Sequence, residues 1–276
     1  MLICFNGEFI APEQARVAMQ DGSVLFGDSL FETMKANQQT VAFAKEHLDR
    51  LEQAATLTGF PCDRPQLEAT LEQVAKRLQA PCSRLRLTLG RGEFAGLDFP
   101  AQQGWFCLTA SDYPGLPEGA WPTGLNAVIA PNRRVNPLSH LPQLKHGNYA
   151  DCLYAQNYAQ SQQADEAIFV DENGLVLEGA TSNIFIRKER TLITPPCGQL
   201  VLGGIIRQQL LTLGAMLDLD VIERNLTLTE LHNADETFIT NSLIDIRPLL
   251  SLDGQTLAQG DSWKMLFILL RQTIQG

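Results

Sequence analysis

Lys145 is one of six lysines in the chain, and the stretch around it, LPQLKHGNYA (residues 141–150), contains no carboxylate. It follows the uncharged run Leu141-Pro142-Gln143-Leu144 and precedes His146. Apolar surroundings disfavour an ammonium and lower its pKa. A neutral amine is a nucleophile, forms a Schiff base with a carbonyl and serves as a general base. The same spacing also suits a lysine whose stem lies on apolar surface while its head reaches water. Glu178, in LEGATSNIF, ends a strand pattern and is followed by small and polar residues. A carboxylate there can pair with a protonated heterocyclic nitrogen, and Asn183, five residues on, can orient it. A solvated hairpin end would carry the same residues.

An anion site can be assembled from separate pieces. Gly203-Gly204 stand directly before the helical pattern IIRQQLLTLGAML, and the backbone N–H groups of Ile205 and Ile206 at such an N-terminus suit an anion. Thr240-Asn241-Ser242 place hydroxyl and amide groups between two apolar strand halves. Arg50, in HLDRL, can make a bidentate contact, or it can pair with Glu46 four residues earlier. No GxxxxGK[ST] loop occurs, and no GxGxxG follows a strand. His47 reads as a residue that packs or hydrogen-bonds near its helix start. Ser139, His140 and Asp151 have the residue types of a hydrolase triad, but no GxSxG elbow accompanies them. The cysteines, Cys4, Cys62, Cys82, Cys107, Cys152 and Cys197, are scattered without a CxxC pair or zinc-ligand spacing, so no metal is expected.

These side chains need elements to hold them. Asn6-Gly7 between apolar runs predicts a hairpin near the N-terminus, and Asn173-Gly174 predicts another. Apolar spacing predicts helices over 45–58 and 65–79, the first ended by Gly59. RLRLTLG alternates strictly, as a half-buried strand does. Further helices are expected near 149–159, from 205 onward and over 260–274, with a capping box at Thr227–Glu230. Proline and glycine concentrate around 111–124, which separates a small α+β domain (1–112) from a larger domain (123–276) by a linker at 113–122. Net charge is −10, which repels nucleic acid and anionic membranes on average. No run of about 18 apolar residues is present, and the N-terminus lacks a basic signal-peptide start. The expected location is the cytoplasm.

The ordered series FGDSLFET, HLDRL, LKHGNY, EGATSNIF, GGIIRQQL and FITNSLIDIRP resembles that of the fold-type IV, or class IV, pyridoxal phosphate (PLP) enzymes, from about residue 5 to about residue 250. This family includes branched-chain aminotransferases, D-amino-acid aminotransferases and 4-amino-4-deoxychorismate lyases. The resemblance implies an α+β fold like that of the D-amino-acid aminotransferases, with a small α+β domain and a larger, β-barrel-like, PLP-binding domain, usually assembled as a homodimer. It implies that Lys145 carries PLP and moves protons, and that Glu178, oriented by Asn183, faces the pyridine nitrogen. Arg50, the Ile205 and Ile206 amides and the Ser242 hydroxyl should bind the phosphate. Tyr149 should reach the phenolic oxygen, from one residue nearer the lysine than in branched-chain enzymes.

Within the family, FET and TNSL resemble the lyase pattern. Thr33 stands where branched-chain enzymes carry glycine, and should relay a proton with Lys145. Asn241 and Ser242 replace a glycine and a threonine, and Asn241 should line the substrate site. Arg91 is the expected partner of a substrate carboxylate, with Arg133 and Arg134 as further cations, although EFAGLDFP departs from the usual lyase loop. The resulting expectation is a 4-amino-4-deoxychorismate lyase of folate biosynthesis, releasing pyruvate to leave 4-aminobenzoate. The alternative is a class IV aminotransferase for D- or branched-chain amino acids.

Overall fold

Asn6 and Gly7 take positive φ, 49° and 88°, as a tight hairpin requires. Strand β1 (Leu2–Phe5) therefore folds back on β2 (Glu8–Phe9). In this computed structural model, which describes residues 1–99, 104–117 and 119–275, the chain divides into two units. Pro100 of the EFAGLDFP loop and Glu118 of the expected linker lie outside the described residues.

The first unit is Met1–Gly115 with Leu144–Tyr149. After the short α1 (Gly22–Leu25) come β3 (Ser29–Asn37), β4 (Thr40–Val41), α2 (Ala44–Thr58), α3 (Arg64–Ala75), β5 (Cys82–Gly90) and β6 (Trp105–Asp112). The strands form an antiparallel sheet in the order β2-β1-β6-β5-β3-β4. Helix α2 stops at Gly59, whose φ of 69° is cheap only for glycine. The Asp63 side chain caps α3. Leu48, Leu51, Leu67 and Leu71 of these helices bury against Leu30, Met34, Leu85 and Leu87 of the sheet. Strand alternation then sends Phe31, Thr33 and Arg86 to the other face, with Thr33 and Arg86 directly opposite in register.

The second unit is Leu116–Gln143 with Ala150–Gly276. It contains β7 (Leu125–Ile129), α4 (Ala150–Ser161), β8 (Glu166–Val170), β9 (Leu175–Gly179), β10 (Asn183–Lys188) and β11 (Thr191–Thr194). These are followed by α5 (Ile205–Met216), β12 (Asp220–Glu223), β13 (Leu226–Thr227), α6 (Leu228–His232), β14 (Glu236–Asn241), β15 (Asp245–Leu252), β16 (Gln255–Thr256) and α7 (Ser262–Gln275). The ten-stranded sheet runs β12-β11-β10-β14-β15-β7-β8-β9-β13, with β16 on β15. Strands β9 and β10 also touch, although other strands separate them in that order. The sheet therefore curls on itself, which is the barrel-like form expected. Ile168, Val176, Ile184, Ile239 and Leu249 fill the inside of the curl. Phe185 and Phe238 stack at 5.4 Å, and α5 packs on β14. Thr227 and Glu230 form the expected capping box of α6. The larger domain expected over 123–276 is interrupted, because residues 144–149 belong to the first unit.

Candidate active site

The segment that carries the lysine is fixed as an extra strand along the start of β3. Phe31 N donates to Lys145 O at 3.0 Å and Gly147 N to Ser29 O at 2.6 Å. Gly147 is required there, since a Cβ would lie 2.0 Å from Ser29 Oγ and 2.8 Å from Gly27 O. This backbone pairing delivers Lys145 Nζ to 4.7 Å from the Phe31 ring centroid and 6.0 Å from that of Tyr149. The Arg86 guanidinium lies 3.9 Å over the same Phe31 ring. Lys145, Phe31, Thr33 and Arg86 thus share one face of the first unit's sheet. No carboxylate pairs with Arg86 among the described residues, and burial, then neighbouring Arg84, lowers its pKa. The strict alternation of RLRLTLG is the sequence signal that Arg84 and Arg86 share a face of the strand.

The helix side of β3 holds Glu32, which is wholly buried. It accepts from His47 Nδ1 at 2.7 Å, Arg50 Nε at 2.8 Å and Arg50 Nη2 at 2.6 Å. The bidentate pair fixes the plane of Arg50, whose side chain remains 18% exposed. Burial alone would raise the Glu32 carboxyl, but Arg50 and the His47 hydrogen bond outweigh it and hold it at about 2, against an ordinary 4.5. Burial also lowers the His47 pKa, against the pull of Glu32. A depressed carboxyl pKa stabilises the fold above the unfolded value of 4.5, and that contribution disappears as pH falls through about 2. Glu32→Gln should therefore destabilise the chain at pH 7 by on the order of 3 kcal/mol. Wild type and variant should converge in denaturant titrations as the pH approaches 2.

Arg91, expected at a substrate carboxylate, is engaged elsewhere. Nε donates to Asp28 at 2.7 Å, Nη1 to Gly59 O and Nη2 to Thr58 O, both at 2.8 Å. Phe60 and Phe99 stack against its guanidinium. Each guanidinium nitrogen therefore has a partner within the fold, and the arginine ties the end of α2 to Asp28. Asp28 in turn faces His146 Nε2 at 3.4 Å, so the chain Arg91–Asp28–His146 buttresses the residue next to Lys145.

In the second unit Glu178 is buried on β9, and both of its oxygens are hydrogen-bonded. Oε1 accepts from Arg134 Nε at 2.9 Å, and Oε2 accepts from Asn183 Nδ2 at 3.2 Å and Leu202 N at 2.9 Å. Arg134 Nη1 donates to Asp151 Oδ2 at 2.5 Å. Burial would lower the Arg134 pKa, but the charge of Glu178, then those of Cys152 and Asp151, raise it instead. Arg134 is therefore the internal counter-ion of Glu178 rather than a free substrate cation, and Arg133 is exposed beside Glu172 at 3.5 Å.

Asn183 also donates to Leu202 O, and a Cβ on Gly204 would come within 2.0 Å of Asn183 Oδ1. Glycine at 204 thus lets α5 start beside Asn183. That helix opens without a side-chain cap, leaving the Ile205 and Ile206 amides at its end. Thr240, in register with Asn183, is buried with no hydrogen-bond partner for Oγ1 among the described residues. Asn241, expected in the substrate site, spends its side chain on the loop that follows. Nδ2 donates to Thr181 O at 3.1 Å, and Oδ1 accepts from Leu243 N and Ile244 N at 2.9 Å. Ser242 lies within that loop, half-buried.

Taken unit by unit, the residue types fit pyridoxal phosphate. The amine beside an aromatic ring suits its aldehyde, and the cation-paired buried carboxylate suits a protonated ring nitrogen. The uncapped helix start beside an orphan buried hydroxyl suits its phosphate. Among the described residues no His, Cys, Asp or Glu group could hold a metal ion, and no helix is long and apolar enough to cross a membrane.

Comparison with known proteins gives the geometry a family. The family model "Amino-transferase class IV" matches residues 29–252. A Methanocaldococcus jannaschii protein, provisionally named a branched-chain-amino-acid aminotransferase, is 35% identical over 93% of this chain and 90% of its own length. The branched-chain aminotransferase structure from Thermoproteus uzoniensis superposes with a TM-score of 0.90 over 100% of this chain and 95% of that one, at 24% identity. The structure of 4-amino-4-deoxychorismate lyase from Pseudomonas aeruginosa gives 0.86 over 98% of both chains, at 27% identity. Further relatives named as D-alanine and branched-chain aminotransferases match over most of the chain, so the comparisons favour the alternative of the sequence reading over its lyase expectation. The chain belongs to the class IV aminotransferase family, whose cofactor is pyridoxal 5'-phosphate.

Proposed function

We propose that the protein transfers amino groups and that one of its two partners is a dicarboxylic amino acid or the corresponding 2-oxo acid. The observation that carries this is the half-buried Arg86, with which no carboxylate pairs among the described residues, on the same sheet face as Lys145. A desolvated guanidinium without an acid is a ready site for a carboxylate. Phe31 and Tyr149, packed edge to face at 5.5 Å beside the lysine, offer apolar surface to a branched-chain or D-amino-acid partner.

The cofactor, when bound, supplies an electron sink for the bond that breaks beside the substrate nitrogen. Lys145 Nζ would accept the proton from the substrate carbon that bears the nitrogen and pass it to the former aldehyde carbon of the cofactor, which keeps the nitrogen; the second half-reaction would run the same move in reverse. Glu178, paired with Arg134 and oriented by Asn183, would face the ring nitrogen. Arg50, the Ile205 and Ile206 amides and the Ser242 hydroxyl would hold the phosphate, and Tyr149 would meet the phenolic oxygen. The assembly proposed is the family's homodimer.

Arg86→Gln should raise KM for a dicarboxylate by about ten- to a hundredfold, the worth of a charge-assisted hydrogen bond. KM for a branched-chain or D-amino acid should change by less than about threefold.

A second reading, elimination from 4-amino-4-deoxychorismate, is favoured by Thr33. Its side chain is on the Lys145 face and opposite Arg86, where a hydroxyl can pass a proton to the amine while the cation binds one of the substrate's two carboxylates. The two readings separate in one assay. Transfer from D-alanine or L-leucine to 2-oxoglutarate, without 4-aminobenzoate from aminodeoxychorismate, supports transfer. Release of pyruvate and 4-aminobenzoate without amino transfer overturns it in favour of elimination.

A further inference from the structure

Glu166, the first residue of β8, is 3% exposed, and no cation pairs with it among the described residues. A buried carboxylate without a counter-ion costs stability, so burial raises the Glu166 pKa and hydrogen-bond donors work against that rise. Among the described residues its donors are the amide of the next residue and groups of the turn between β9 and β10. Thr181 Oγ1 and Ser182 Oγ donate to Oε2 at 2.9 and 2.8 Å, and Ala167 N donates to Oε1 at 3.1 Å. The turn is shaped around the carboxyl: a Cβ on Gly179 would lie 3.0 Å from Glu166 Cδ and 2.3 Å from Ser182 Oγ. Gly179 N closes the turn on Ser182 O at 2.7 Å.

That turn reaches further than its own strands. Glu178 and Asn183 stand at its two ends. The carbonyl of Thr181, whose hydroxyl is held by Glu166, accepts from Asn241 Nδ2 at 3.1 Å, and Asn241 Oδ1 collects the amides of Leu243 and Ile244. Ser242 is enclosed in that loop. A set of hydrogen bonds therefore runs from Glu166 through Thr181 and Asn241 to the Leu243 and Ile244 amides, which directly follow the residue proposed for the phosphate.

We infer that Glu166 is a positioning residue for the phosphate end of the site, acting through the Thr181 hydroxyl and the Asn241 amide on the Ser242 loop. The inference rests on the cofactor reading above. Glutamine cannot reproduce the carboxylate: with its oxygen toward both hydroxyls, its NH2 would meet the Ala167 N–H. Placement of Ser242 matters to the phosphate and not to the ring.

The full-length chain should be titrated with PLP and with pyridoxal, which lacks the phosphate, in wild type, Glu166→Gln, Thr181→Val and the double variant. The expected result is a rise in the PLP dissociation constant of about tenfold in each single variant, the scale of one displaced hydrogen-bond donor. Pyridoxal should change by less than about twofold, and the double variant should be no worse than Glu166→Gln. Thr181 is exposed, so Thr181→Val carries the test if Glu166→Gln does not fold. Equal weakening toward PLP and pyridoxal, or unchanged PLP affinity, overturns the inference. A wild-type protein that binds neither compound defeats the cofactor reading itself, which is a separate and recognisable outcome.

Discussion

Lys145→Ala should lower turnover by about a thousandfold or more, because it removes both a covalent anchor and a positioned proton acceptor. Borohydride treatment of the wild type should fix the cofactor's absorbance to the chain at Lys145 and leave the variant unlabelled. The fold should survive. The hydrogen bond that aligns the segment uses the Lys145 carbonyl, and Gly147 and Leu144 supply its other anchors. Far-ultraviolet dichroism of the variant should therefore match wild type. Lys145→Arg should be about as inactive, since guanidinium neither deprotonates near neutral pH nor forms a Schiff base. A Lys145→Ala protein that still holds the cofactor covalently after reduction sinks the assignment. So does a variant that retains most of its turnover.

Much of this was legible where the physics is local. Asn6-Gly7 marks a hairpin because few other pairs tolerate positive φ at both residues, Asn173-Gly174 marks one through the positive φ of Gly174, and Gly59 and the Thr227 capping box mark helix ends for equally short-range reasons. Glu178 and Asn183 were legible together because a single turn separates them. The cations were not legible, because charge pairing is a long-range matter. Arg91 meets Asp28 across 63 residues and Arg134 meets Glu178 across 44, so both looked available in the sequence and neither is. Nothing in the sequence marks Arg86 out, and only the pairing of residues 144–149 with β3 brings it and the lysine onto one Phe31 ring. The side-chain work of Asn241 was hidden for the same reason, since its partner Thr181 lies 60 residues earlier. Elimination and transfer would use the same lysine and the same acid, and Arg86 would meet a carboxylate in either. Thr33 is the residue that favours one over the other, and it would act by where it stands relative to a substrate.

Arg134→Met should cost on the order of 3–5 kcal/mol of stability at pH 8 and lower turnover about a hundredfold. The arginine side chain is 4% exposed and bridges two buried carboxylates, Glu178 at 2.9 Å and Asp151 at 2.5 Å. Methionine fills similar volume but leaves both anions without a cation, and a buried anion without a cation is better off protonated. The variant should therefore regain stability as the pH is lowered toward 5, because neutral carboxyls carry no charge to desolvate. Turnover should not follow. A protonated Glu178 no longer favours a proton on the ring nitrogen, so the pH that rescues the fold removes the electron sink's counter-charge. Arg134→Lys separates the two effects. It keeps the positive charge, so most of the stability should return, but a single ammonium cannot reproduce the planar fork that serves Glu178 and Asp151 together. Turnover should stay at least about tenfold down. Denaturant titrations at pH 5 and pH 8 alongside turnover measurements decide the matter. If stability and turnover of Arg134→Met recover in parallel at low pH, Arg134 only holds the fold and the ionised state of Glu178 is not what the reaction needs.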